Sequence, residues 1–400
     1  MDFQRSDDTQ LLQAVDPAFR EDRGLIPTTG AWLPGDPVGT RQFVHLGAFS
    51  TESGAQVPAA TIAYETWGTL NRDRSNAVLI LHALTGDSHV IGDAGPGHAT
   101  AGWWPGIVGP GLAIDTDRFF VVAPNVLGGC QGSTGPASLA PDGSAYGSRF
   151  PYLSIRDQVA AQLSFADAVG IDRFAAVIGG SMGGMHALEF AVTAPERTGS
   201  LAVLAAPAAT AADQVAYGRL QIEAIERDPD WLGGDFYDLP DGHGPHRGLA
   251  LARRIAMLSY RSELEVNDRF GRTLQSNIRP AHGGKFQVES YLDVHGNRFT
   301  RRFDAGSYRT LVHAMSSHDV TRERDDLPRV LDVLDMPALV LGIDTDRTFP
   351  LAGQRAITRA LPLSVTGQEP YLLQSPYGHD AFLIELDEVS KALRLLPVFS

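Results

Sequence analysis

Short apolar runs alternating with helical patterns predict an α/β fold, a mostly parallel central sheet flanked by helices, with an inserted helical lid. Three observations carry that expectation. Residues 77–81, 119–123, 174–178, 201–205 and 338–342 are compact apolar runs, and the first two in particular suit strands buried on both faces. The glycine-rich stretch Gly179-Gly180-Ser181-Met182-Gly183 stands between one of these runs and a helical pattern. Residues 208–325 break the alternation with long helical patterns and more charge.

Taken in order, residues 1–38 mix acidic, polar, Gly and Pro residues without periodicity, which predicts an extended or poorly ordered lead-in. Its apolar pairs Leu11-Leu12 and Leu25-Ile26 could dock it on the body. The first part of the core spans 39–207, where runs 42–46 and 61–65 suit an antiparallel edge. Ser154 reads as the cap of a helix with an acid in its first turn, running to Gly170. Residues 185–192 keep apolar side chains at helical spacing until Pro195 stops them. In the lid, 208–325, helices are expected at 214–227, 248–260 and 304–315, with a Gly/Pro/His-rich loop at 238–248. The core resumes over 326–400 with runs 338–342 and 371–374.

A chain of 400 residues with formal charge −14 has no excess of Lys and Arg to offer nucleic acid or an anionic membrane. An anionic substrate would need a local basic patch. The single cysteine, Cys130, cannot form an intramolecular disulfide, and no N-terminal run resembles a secretion signal or a membrane span. A cytoplasmic protein is expected. Cys130 lies in a glycine-rich stretch, yet a structural thiol is the expectation because a better nucleophile is available.

That nucleophile is Ser181, at the centre of G-x-S-x-G, the nucleophile elbow in which a serine sits on a sharp strand-to-helix turn. Its hydroxyl would project from the strand end while the Met182 N–H faces the oxyanion formed on attack. A serine needs a histidine base and an acid to hold that base's tautomer, and in α/β-hydrolase order both follow it. His243, His246, His282 and His295 fall in polar loop surroundings, so His379, just beyond the last strand, is the candidate base. Asp344 and Asp346 both follow run 338–342, and position alone does not separate them. The loop 81–87 should supply the second oxyanion donor, with His82 as a structural or loop-orienting residue.

These residues carry a closer resemblance. His82-Ala83-Leu84-Thr85-Gly86-Asp87-Ser88-His89, Gly102-Trp103-Trp104, Asn125-Val126-Leu127-Gly128-Gly129-Cys130, Gly132-Ser133-Thr134-Gly135-Pro136, Gly179 to Gly184 and Tyr377-Gly378-His379-Asp380 resemble homoserine O-acetyltransferases of the α/β-hydrolase fold, from about residue 40 to the C-terminus. The resemblance implies transfer of an acetyl group from acetyl-CoA to L-homoserine, an early step of methionine biosynthesis, through an acetyl-serine and with no metal or redox cofactor. It assigns Ser181, His379 and Asp346 to the triad and the amides of Leu84 and Met182 to the oxyanion. Through Arg253-Arg254 and Tyr260-Arg261 it points to Arg253 for the acceptor's carboxylate and Tyr260 near the site, with Asp380 on the amino group and Thr85 lining the pocket. It also implies a homodimer formed through the lid. Enzymes of the same fold and triad using succinyl-CoA or serine, or acting as simple serine esterases, are the alternatives.

Overall fold

The computed structural model describes residues 24–400. In chain order the strands are β1 (Gln42–Ser50), β2 (Gln56–Trp67), β3 (Ala77–Leu81), β4 (Val108–Gly109), β5 (Ile114–Asp115), β6 (Phe120–Pro124), β7 (Ala176–Gly180), β8 (Leu201–Leu204), β9 (Ala338–Ile343) and β10 (Tyr371–Leu373). Among the described residues, eight of them form one sheet in the order β1-β2-β6-β3-β7-β8-β9-β10, and β4 pairs with β5 beside it. The β1–β2 and β2–β6 pairs are antiparallel and every later pair is parallel. The antiparallel edge and the parallel body therefore stand as predicted.

The continuous apolar runs divide by the two-residue period of a strand. In β3, Ala77, Leu79 and Leu81 join the core on one face, while Val78 and Ile80 join the other. The first face packs on α1 (Ile155–Ala168) and α2 (Met182–Thr193), through residues such as Phe165 and Phe190. Ser154 caps α1 by accepting from the Asp157 N–H, and Asp157 returns the bond to the Ser154 N–H, forming a capping box.

Between β8 and β9 the chain leaves the sheet as a lid. Among its described residues the α-helices are α3 (Ala212–Glu226), α4 (His246–Tyr260), α5 (Glu263–Phe270), α6 (Gln287–Phe299) and α7 (Ala305–Ser316). The helices α5 and α6 were not anticipated, and two residues expected in loops lie on helices: His246 begins α4, and His295 is inside α6. After the lid come the short α8 (Leu327–Leu331), then α9 (Leu351–Ala360), α10 (Ala381–Ile384) and α11 (Leu386–Leu393). No described helix is long and apolar enough to cross a membrane.

Of the lead-in, Leu11 and Leu12 lie outside the described residues. Its later part is not loose. Thr28 Oγ1 donates to the Leu239 carbonyl at 2.7 Å, Thr29 Oγ1 to Asp304 at 2.8 Å, and the Trp32 N–H to the Cys130 carbonyl at 2.9 Å. Polar bonds rather than Leu25, which is 73% exposed, hold it to the lid and core.

Candidate active site

Strand β7 delivers Ser181 into a conformation that side-chain-bearing residues rarely adopt, φ 58° and ψ −124°. Two glycines make that turn possible. A Cβ at Gly179 would overlap the Gly183 carbonyl, and one at Gly183 would overlap the Leu81 carbonyl. The Ser181 N–H is anchored on the Leu204 carbonyl of β8 at 2.9 Å, and α2 starts at the next residue. Met182 is thus the first residue of a helix, where the amide has no intrahelical acceptor.

The triad closes around it. His379 Nε2 lies 2.8 Å from Ser181 Oγ, and His379 Nδ1 lies 2.7 Å from Asp346 Oδ2. With the carboxylate accepting the Nδ1–H, Nε2 is left to accept the serine proton. Asp346 is itself held by the N–H groups of Thr348 at 2.7 Å and Phe349 at 2.9 Å. Asp344 is exposed and accepts from the Ser375 N–H at 3.1 Å, tying the end of β10 to β9. The structure thereby separates two aspartates that position in the chain leaves equal.

Burial in a ring of Tyr260, Phe349 and Phe382 disfavours a charged imidazole at His379. The charge and hydrogen bond of Asp346, with a contribution from Asp380, outweigh that cost and raise the pKa above 6.5. His82 differs. Its Nε2 accepts from the Val126 N–H at 3.0 Å and Nδ1 meets the Ala83 carbonyl at 2.8 Å, so the buried ring braces the loop carrying Leu84. Burial lowers its pKa. Cys130 is buried too, its thiol pushed up to about 12 by burial and by Asp304, which fits a structural thiol.

Two cavities meet at Ser181. The larger, about 290 Å³, is bounded by Thr85, Arg253, Tyr260, His379 and Asp380, so the residues expected around an acceptor do converge. The Arg253 guanidinium sits 5.1 Å from the Phe299 ring centre and 5.5 Å from that of Tyr260, and 3.4 Å from Thr85 Oγ1. Asp380 lies 3.3 Å from Arg261. Burial pushes the Tyr260 phenol up to about 12, leaving it a protonated donor at neutral pH. The smaller cavity, about 60 Å³, lies on the other side of Ser181 and includes Leu84, Met185, Val312, Met315 and Phe349. Leu84 borders both.

Arg302 and Arg261, both on the larger cavity, were missed. Arg261 stood in the family pattern without a role of its own, and the signal of Arg302 was only lid charge, which ordinarily marks a solvated face. Also missed was the buried group Glu65, His89 and His98, whose ligand atoms lie close enough to share a metal ion. Its bonds are already internal. His89 Nδ1 donates to Glu65 at 2.8 Å, Ser88 Oγ and Thr40 Oγ1 donate to the same carboxylate, and His98 Nε2 accepts from the Thr40 N–H at 3.1 Å. The imidazoles stack face to face at 3.7 Å and the nitrogens that face Glu65 are already bonded to it and to Thr40, an arrangement that suits a strut between β2 and the loop carrying His89.

The known proteins agree with this geometry. Residues 76–386 match the family described as alpha/beta hydrolase fold. A homoserine O-acetyltransferase of Leifsonia xyli subsp. xyli is 59% identical over 380 residues, 94% of each chain. The crystal structure of a homoserine O-acetyltransferase from Bacillus anthracis superposes with TM-score 0.80 at 27% identity, over 88% of this chain and 96% of the other. An acetylester hydrolase from Corynebacterium glutamicum superposes with TM-score 0.75 at 25% identity, over 90% and 96%. The chain belongs to the α/β-hydrolase family and, within it, to the homoserine O-acetyltransferases.

Proposed function

We propose that the protein transfers the acetyl group of acetyl-CoA to the hydroxyl of L-homoserine, giving O-acetyl-L-homoserine for methionine biosynthesis, in two half-reactions on one triad. In the first, Ser181 Oγ attacks the thioester carbonyl as His379 Nε2 takes its proton. The amides of Leu84 and Met182 receive the oxyanion, the C–S bond breaks, and His379 returns the proton to the departing thiolate. In the second, His379 deprotonates the homoserine hydroxyl, which attacks the acetyl-serine carbonyl; the bond from that carbonyl to Ser181 Oγ breaks and His379 returns the proton to Oγ. Every proton moves between substrates and protein side chains, so neither step calls on a metal or redox cofactor.

The observation that carries the reading is the placing of Arg253 and Asp380 in the same cavity as Ser181 and His379. An amino-acid acceptor needs one cation and one anion at a fixed spacing, and arginine can grip a carboxylate by two parallel bonds. A plain esterase has no use for that pair, which separates this reading from the esterase suggested by the neighbouring fold. A homodimer through the lid fits the exposed Leu220, Leu251, Leu258 and Leu264 on its helices, and sedimentation tests it. A cytoplasmic location fits the free cysteine.

Acetyl-CoA alone should release a burst of CoA equal to the enzyme, and mass spectrometry should find the acetyl group on Ser181. Homoserine should then discharge it far faster than water does. Ser181→Ala should abolish adduct and turnover, on the order of 10⁶-fold in kcat for loss of a triad nucleophile. An adduct on Cys130, or discharge by water as fast as by homoserine, overturns the reading.

A further inference from the structure

Beside the cavity at Ser181 lies a second cleft, about 450 Å³, lined by Thr100, Arg253, His295, Arg298, Arg301 and Arg302 together with Ala99 and Phe299. Four arginines and a histidine line it and, among the described residues, no carboxylate does, in a chain whose formal charge is −14. Arg253 and Arg302 belong to both cavities, so the cleft adjoins the reaction chamber across these two side chains.

The arrangement is costly for a cleft without a ligand. Both guanidinium groups rest on the same ring, Arg253 at 5.1 Å and Arg302 at 5.4 Å from the centre of Phe299. Burial and the neighbouring Arg253 charge lower the pKa of Arg302. Arg302 is positioned by a 3.0 Å bond to the Thr85 carbonyl, and Arg301 by a 3.1 Å bond to the Gly24 carbonyl. Among the described residues, Arg253, Arg301 and Arg302 take part in no ion pair. A helix dipole accounts for Arg298 in the last turn of α6, but not for two more arginines beyond the helix end.

We infer that this cleft seats the phosphate groups of the acyl donor, with Arg298, Arg301 and Arg302 as their partners and the thioester arm passing Arg253 to reach Ser181. The inference rests on the proposed reaction and specifies where that reaction's donor is recognised. Guanidinium groups suit phosphate oxygens by charge and by paired N–H geometry. An acceptor amino acid carries a single carboxylate, whereas several guanidinium groups gathered in one cleft suit a ligand with several phosphate oxygens.

The test separates binding from chemistry. In a Ser181→Ala background, CoA should bind at least tenfold more tightly than pantetheine, which lacks the phosphates, and the advantage should shrink as salt is raised. Adding Arg298→Gln and Arg301→Gln should weaken CoA on the order of 10- to 100-fold, as expected for lost charge-assisted bonds, and leave pantetheine within about twofold. With Ser181 present, the double variant should show the same rise in KM for acetyl-CoA and an unchanged rate of acylation by S-acetylpantetheine, which also reports that the site remains folded. A CoA advantage that survives the double substitution, an equal loss for both ligands, or no CoA advantage at all overturns the inference. Failure of the parent to form acetyl-Ser181 from either thioester would instead refute the proposed reaction.

Discussion

The carboxyl edge of the sheet and the lid above it are built on different principles, though both border the same 290 Å³ cavity. At the sheet edge each reactive group sits within a few residues of a strand end: Ser181 after β7, Asp346 after β9, His379 after β10. Parallel pairing of β7, β8, β9 and β10 fixes their spacing, and short backbone bonds fix their directions. The lid contributes Arg253 and Tyr260 from one helix and Arg302 from beyond another, held by ring contacts and by hydrogen bonds to the hydroxyl and carbonyl of Thr85 at 3.4 and 3.0 Å. The sheet edge is thus suited to making and breaking a covalent bond, and the lid to choosing what enters.

If that division is right, the most damaging carboxylate change should be in the sheet edge and should be specific to one aspartate. Asp346→Asn should reduce kcat by roughly 10⁴-fold, because an amide can donate to Nδ1 and favour the wrong tautomer. Asp344→Asn should cost far less, since Asp344 is exposed and its carboxylate accepts from the Ser375 N–H, away from His379. Steady-state rates for the two variants suffice. Equal losses would mean that strand-end geometry does not assign the acid.

The same division explains what the sequence disclosed. The elbow was legible because its constraint is local: positions 179 and 183 exclude a Cβ, and five letters record that. His379 was legible by elimination and order along the chain. Choosing Asp346 over Asp344 took the family resemblance, because the deciding contact joins residues 33 apart in sequence. In the lid, α6 escaped notice although Val288, Tyr291, Leu292 and Phe299 keep helical spacing. Gly296 interrupts it with a residue of poor helix propensity. In the fold that glycine is a packing choice, since a Cβ there would press to 2.8 Å from the Ala250 carbonyl of α4. Arg302 was illegible for a similar reason: its role follows from how the end of α6 meets the Thr85 loop, a contact across 217 residues.

Removing the lid's cation should divide the two half-reactions. Arg253→Leu leaves the acceptor carboxylate without a partner in a partly desolvated cavity, at a cost of about 2–5 kcal/mol. That corresponds to roughly 30- to 5,000-fold in kcat/KM for homoserine. The amplitude of the CoA burst at saturating acetyl-CoA should survive, since the bond-making groups that acylate Ser181 lie at the sheet edge. Loss of both the burst and acceptor turnover would show that the lid helps to build the catalytic centre, and an unchanged kcat/KM would remove Arg253 from acceptor recognition.

The smallest effect, and the sharpest on the boundary between the regions, is in pH dependence. His379 must be neutral to take the serine proton, and its pKa is raised above 6.5 because Asp346 outweighs burial. The rate of the CoA burst at saturating acetyl-CoA should therefore be full above that raised pKa and fall about tenfold per pH unit below it, with a midpoint above 6.5. In Asp346→Asn the residual rate should show a lower midpoint, because burial then acts without the opposing carboxylate. Arg253→Leu should leave the midpoint in place: the charges that bear on His379 are those of Asp346 and Asp380, both outside the lid. Tyr260 touches the imidazole but, held near 12, keeps its proton throughout this range. A midpoint that follows the Arg253 substitution would mean that the lid tunes the base, and the division between reacting and selecting regions would have to be abandoned.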